Sequence, residues 1–232
     1  MSAAVTVDVD GLAGLACRPG GPWSGRLTAR SEHEYVWDGL QRVVEVLDRY
    51  DARATFYVPG ATIDENPAAV VDLLDRGHEV AHHGYDHVPT TGLDAAGERR
   101  ELERGIEALA RIGAQPTGYR SPGWELTPAT LALLPDLGFR WDSSLMGGER
   151  PYRIGSLIEL PVHWRLDDVP YFTALRDPRE VLAIWTAEHD HAEHDVTYTI
   201  HPEITGRGHR LVLLEGLLDH AGPTVTHAEM AA

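Results

Sequence analysis

The chain has 232 residues, 43% hydrophobic and 24% charged, which suits one large domain around one core and excludes a disordered chain. Thirty-six acids against twenty bases give a formal net charge of −16, which disfavours nucleic acid and anionic membrane surfaces. All twenty bases are Arg, so Schiff-base and P-loop lysines are excluded, and no apolar run reaches the roughly 18 residues that span a bilayer. One cysteine, Cys17, rules out an intrachain disulfide framework and a Cys-rich zinc site. A strand-like segment starting almost at Met1 leaves no room for a secretory leader, so a cytoplasmic chain is expected.

In chain order, "AAVTVDVD" predicts a strand over 4–10, followed by an unusually long Gly-rich loop over 11–30. Val36, Leu40, Val43 and Leu47 form the stripe of an amphipathic helix, and "RATFYV" predicts a strand over 53–58. Asn66 before Pro67 reads as a helix start, with Asn as cap and Pro in the first turn. A strand follows over 78–82, then a helical stripe of Leu102, Ile106 and Leu109. Further strands are predicted over 138–142, 157–162 and 196–201. Repeated strand–helix units imply an α/β fold with a parallel sheet, either an open doubly wound sheet or a closed or nearly closed barrel. No linker or internal repeat divides it, so residues 1–232 are expected to form a single catalytic domain.

In such folds the chemistry sits at the carboxyl ends of the strands. Asp8 and Asp10 end the first strand candidate, His82, His83 and His87 lie at and beyond the third, and His201 ends the last. Asp8 and Asp10, two apart on a strand, face the same side, where their repulsion would be resolved by a divalent ion. The same "VDVDG" also reads as a strand-end turn. His83 and His87 could reach one ion if the segment turns helically, or could be solvated imidazoles on a surface loop. The histidine-rich "EHDHAEHD" at 188–195 reads as a solvated helix end.

"TVDVDG", "HEVAHHGYDH", "GYRSPGW", "WDSSL" and "TIHPE" occur in the order of the five motifs of the polysaccharide deacetylase (NodB homology) family, which the chain resembles from about residue 4 to about residue 203. The resemblance is nearest to the compact branch of peptidoglycan deacetylase-like proteins, allantoinase-like proteins and cyclic imidases. It implies a distorted (β/α) barrel of about seven parallel strands, and one Zn²⁺, or a similar ion such as Co²⁺ or Ni²⁺, held by one Asp and two His. Residue by residue, it implies Asp10, His83 and His87 as metal ligands and Asp8 as the base that deprotonates the attacking water. It further implies Arg120 as the partner of that base, His201 as the acid that protonates the leaving nitrogen, and Asp142 as the carboxylate that orients His201. Trp124 and Trp164 are expected to line the pocket, with Trp23 in the long loop shaping substrate choice.

The expected activity is metal-dependent hydrolysis of a non-peptide C–N bond, with activated water attacking the amide-type carbonyl of a small N-acyl or cyclic amide substrate. A cell-wall glycan de-N-acetylase is the nearest alternative, and a catalytically inactive ligand-binding barrel is another. A haloacid-dehalogenase-type phosphatase is a minor one, because "VDVDGLAG" resembles its nucleophile loop and "RLDDVP" its acidic motif, although Leu12 and the lack of lysine oppose it. No nucleic-acid or membrane partner is expected, and a homo-oligomer is left open.

Overall fold

The computed structural model describes residues 2–17 and 27–232. Among them the strands are β1 (Ala3–Asp8), β2 (Thr55–Val58), β3 (Glu79–His82), β4 (Gly118–Tyr119), β5 (Trp141–Asp142), β6 (Tyr152–Ile154), β7 (Leu157–Glu159) and β8 (Val196–Ile200). They form one curled sheet in the order β6-β7-β5-β4-β3-β2-β1-β8. Every neighbouring pair is parallel except β6 with β7, so the expected run of seven parallel strands carries an extra antiparallel hairpin at one edge. β7 and β8 do not pair with each other; a single bridge between Asp167 and Thr199 draws the chain after β7 across to β8.

Alternation along the strands divides the interior into two layers. Val5, Val7, Phe56, Val58, Val80, Tyr198 and Ile200 face outward and pack in the largest apolar cluster. The anticipated stripe of Val36, Leu40, Val43 and Leu47 lies buried on helix Val36–Arg49 in that cluster, each side chain worth about 1.5–3 kcal/mol. The opposite face is unusually polar for a barrel interior, with Thr6, Asp8, Thr55, Tyr57, Thr197 and Thr199 all buried. At the strands' amino ends this interior is closed by the short helix His227–Met230: Tyr57 Oη is 2.6 Å from His227 Nδ1, and Thr197 Oγ1 is 3.1 Å from Nε2.

Several local expectations are refined. The 11–30 segment is not all loop, since Gly11–Cys17 forms a 3₁₀ helix and Leu27–Glu34 an α-helix. Asn66 caps helix Pro67–Asp75 by accepting from the Ala69 N–H. His189 is buried within hydrogen-bond reach of Tyr198 Oη, so the 188–195 segment is only partly solvated. Among the described residues no helix is long and apolar enough to cross a membrane.

Candidate active site

Asp8 is the last residue of β1, and Asp10 follows where Gly11, at φ +54°, turns the chain away. The Asp10 carbonyl accepts from Thr62 Oγ1 at 2.9 Å and anchors that turn. Beyond β3, His83 and His87 reach Asp10 through a non-helical loop, so their approach does not need the helical turn that their spacing allowed. Gly84 at φ +73° reverses the chain, and His87 itself sits in the left-handed region at φ +55°, an uncommon conformation for a residue with a Cβ. Glu101 on helix Ala95–Arg111 holds the loop by accepting from the N–H groups of Tyr85 at 3.1 Å and Asp86 at 2.8 Å. Sequence reasoning missed Glu101.

Asp10 Oδ1 lies 3.1 Å from His87 Nε2 and 3.4 Å from His83 Nε2, and it has no hydrogen-bond partner of sound geometry although it is buried. One ligand atom from each of the three residues falls within 4.8 Å of the others. His83 Nδ1 donates to the Arg120 carbonyl at 2.8 Å, which leaves the Nε2 lone pair facing Asp10. Burial opposes the Asp10 charge, but His87 and His83 hold its carboxyl well below the usual range. A buried carboxylate oxygen without a donor, faced by two imidazole nitrogens, fits a transition-metal ion held by one Asp and two His. His82 is oriented elsewhere: Nε2 donates to the Leu102 carbonyl at 3.0 Å and Nδ1 accepts from the Gly84 N–H at 3.1 Å. Burial pushes its pKa down to about 3, so it stays neutral.

Next to this cluster, Arg120 donates from Nη1 to Asp8 Oδ1 at 2.5 Å and to Thr6 Oγ1 at 3.0 Å. The remainder of the guanidinium is fixed by Ser143, whose carbonyl accepts from Nε at 3.0 Å and whose hydroxyl accepts from Nη2 at 3.1 Å. Both Arg120 and Asp8 are buried, so each is the compensating charge of the other.

His201 immediately follows β8, and its partner corrects the sequence-based expectation. Nδ1 donates to Asp168 Oδ1 at 2.8 Å, with Asp167 Oδ1 3.9 Å away, whereas Asp142 is engaged elsewhere by Ser144. The reason is topological: the Asp167–Thr199 bridge brings the 167–168 acids beside β8, while Asp142 lies on β5, well along the sheet. Burial works against a charged imidazole, but Asp168, Asp167 and Asp10 together raise the His201 pKa well above its ordinary value. Position is reinforced by a close approach: a Cβ on Gly39 would meet the Pro202 carbonyl oxygen at 2.0 Å, so helix Val36–Arg49 packs directly on the turn after His201.

Asp8, Asp10, His83, His87 and His201 share a cleft of about 490 Å³. Trp124 and Trp164 line it and stack on each other at 4.6 Å between ring centres. Trp164 is 44% exposed, which places it at the rim and not in the core. Trp23 lies outside the described residues. Lining residues that were not anticipated include Glu203 and Arg210; Glu203 Oε2 and Arg210 Nε are buried without a hydrogen-bond partner. "TIHPE" offered a signal for Glu203, two residues beyond His201, but nothing local marks Arg210.

Comparison with known proteins agrees with this geometry. The family model "Polysaccharide deacetylase" matches residues 35–141. A crystal structure described as a putative polysaccharide deacetylase from Mycobacterium smegmatis is 35% identical, covering 99% of this chain and 88% of that one at a TM-score of 0.88. The chain belongs to the polysaccharide deacetylase family. Membership makes it a hydrolase of carbon–nitrogen bonds other than peptide bonds and sets aside the phosphatase alternative. Another member, the peptidoglycan deacetylase of Helicobacter pylori, is 28% identical over 92% of this chain and 87% of its own length. A crystal structure of an allantoinase shares the family's fold at a TM-score of 0.84, with 18% identity over 98% of this chain and 88% of that one.

Proposed function

We propose that residues 1–232 form one metal-dependent amidohydrolase domain that removes an acyl group from, or opens, a small uncharged N-acyl or cyclic amide compound. The observation that carries this reading is the convergence, in one cleft, of the Asp10–His83–His87 cluster with a carboxylate–arginine pair on one side and a carboxylate–imidazole pair on the other. A divalent transition ion held by Asp10, His83 and His87 would supply Lewis-acid polarisation of the acyl carbonyl and activation of water. Asp8, held in place by Arg120, takes the proton of the attacking water. His201, kept protonated by Asp168, delivers a proton to the leaving nitrogen. Trp124 and Trp164 provide an apolar wall, while the unpartnered Glu203 Oε2 and Arg210 Nε supply the few polar contacts that orient a ligand.

The cleft volume of about 490 Å³ matches a small ligand, and the net charge of −16 repels acidic glycans. A cytoplasmic setting accords with the single cysteine, Cys17. The second reading, de-N-acetylation of a wall glycan, is favoured by the peptidoglycan deacetylase of Helicobacter pylori, which aligns over 92% of this chain. Turnover of the zinc-loaded protein on matched panels of N-acetylated saccharides and cyclic imides separates the two. Activity that rises with glycan chain length and is absent on small cyclic amides would overturn the small-substrate reading.

A further inference from the structure

Asp142 on β5 and Glu159 on β7 stand opposite each other in parallel register, and both are buried. Glu159 Oε1 accepts from the backbone N–H groups of Ser144 at 3.0 Å and Leu145 at 2.8 Å, and Asp142 Oδ1 accepts from Ser144 Oγ at 2.8 Å. Their other oxygens, Asp142 Oδ2 and Glu159 Oε2, find no donor on any other group. The two carboxyl groups face each other, so one proton would make one orphaned oxygen a donor and satisfy its neighbour as well. Two carboxylates in such a place cannot both remain ionised.

We propose that Asp142 and Glu159 hold one proton between them and act as a positioning clamp for Arg120. The segment they pin, residues 143–145, carries the acceptors that aim the guanidinium. Ser143 takes Arg120 Nε and Nη2, leaving Nη1 for Asp8. Ser144 Oγ also accepts from the Ser121 N–H at 2.9 Å, so the clamp fixes the backbone on both sides of the arginine. The titratable groups that face the pair are Arg120 and Tyr119 from the β4 side and Tyr152 from β6. Burial raises both carboxyl groups, and the neighbouring Asp142 charge raises Glu159 further, which agrees with a retained proton.

The catalytic consequence rests on Asp8 acting as the base, but the shared proton can be tested without activity. Infrared difference spectra of the wild type against Glu159→Gln should show a protonated-carboxyl band at neutral pH that the variant lacks. A native carboxyl titrating above its unfolded value favours the fold most at low pH and loses that contribution as pH rises. The melting temperature of Glu159→Gln relative to wild type should therefore increase from about pH 5 to about pH 9. In activity, Glu159→Gln, whose amide replaces the acid O–H as donor, should stay within about twofold of wild type in kcat. Glu159→Ala should lose about 10- to 100-fold in kcat with KM little changed. Absence of the band together with a pH-independent melting difference would overturn the shared proton. A normal kcat in folded Glu159→Ala would overturn the clamp.

Discussion

His201 is bonded to Asp168 twice, through its backbone N–H to Oδ2 at 2.9 Å and through ring Nδ1 to Oδ1 at 2.8 Å, and Thr205 Oγ1 adds a third bond to Oδ2. One carboxylate thus fixes both the main chain and the ring plane, leaving Nε2 directed at the cleft as the only atom free to deliver a proton.

Replacing Asp168 with Asn should lower the His201 pKa, since burial lowers it and Asp168 is foremost among the acids that together raise it. The alkaline limb of the kcat/KM profile should move to lower pH, and rate at neutral pH should fall about 10²- to 10⁴-fold. A raised histidine pKa stabilises the fold most below its unfolded value of about 6.5 and ceases to do so above its folded value, so the variant's loss of melting temperature should be largest on the acid side. An unshifted alkaline limb would sink the role of Asp168.

For the metal cluster, His83→Ala and His87→Ala should each abolish stoichiometric binding of Zn²⁺, measured by elemental analysis after dialysis. Occupancy in the wild type should decline as pH falls, because the imidazoles must be neutral to bind. His82→Ala should retain the ion while losing about 1–3 kcal/mol of stability, since it leaves the buried Gly84 N–H unpaired. Loss of metal in His82→Ala with unchanged melting would contradict this assignment.

Asp8→Asn should keep the ion and lose about 10²- to 10⁴-fold in kcat. Arg120→Ala should be the more damaging to folding, by about 3–5 kcal/mol, because it strands the buried Asp8 charge. Urea denaturation of the two variants side by side tests the order.

Gly39→Ala introduces a methyl where the Pro202 carbonyl oxygen would be 2.0 Å away. Helix and turn must separate, at a cost of about 1–3 kcal/mol, and His201 should be displaced with the turn. A fall in kcat accompanied by retained metal is the expected signature, and wild-type kcat would show that the contact does not position His201.

The parts of the site that were legible in the sequence are local. Asp8 and Asp10 share a strand end, and His83 and His87 follow another, so their proximity needs only a parallel sheet. The Asp168 partnership was not legible, because it depends on a lone bridge between segments far apart in sequence, Asp167 and Thr199, that no periodicity announces. The path of the loop that brings His87 to Asp10 was left open between a helical turn and a surface loop, because its second left-handed residue, after Gly84, is a histidine, which gives no such signal in the sequence. Strands β4 and β6, of two and three residues, are too short for alternation to register, while the amphipathic stripe of Val36, Leu40, Val43 and Leu47 was plain.

The helix His227–Met230 has a consequence for the ion pair above it. Its histidine is kept uncharged by burial and by the field of Arg120, and it seals the end of the barrel remote from the cleft. Solvent is thereby kept from Asp8 and Arg120 on that side, so their attraction acts through a medium of low permittivity that dissolved ions do not enter. The strength of that attraction should accordingly be indifferent to ionic strength, and it is insulated by residues from the far end of the chain that touch no reacting atom.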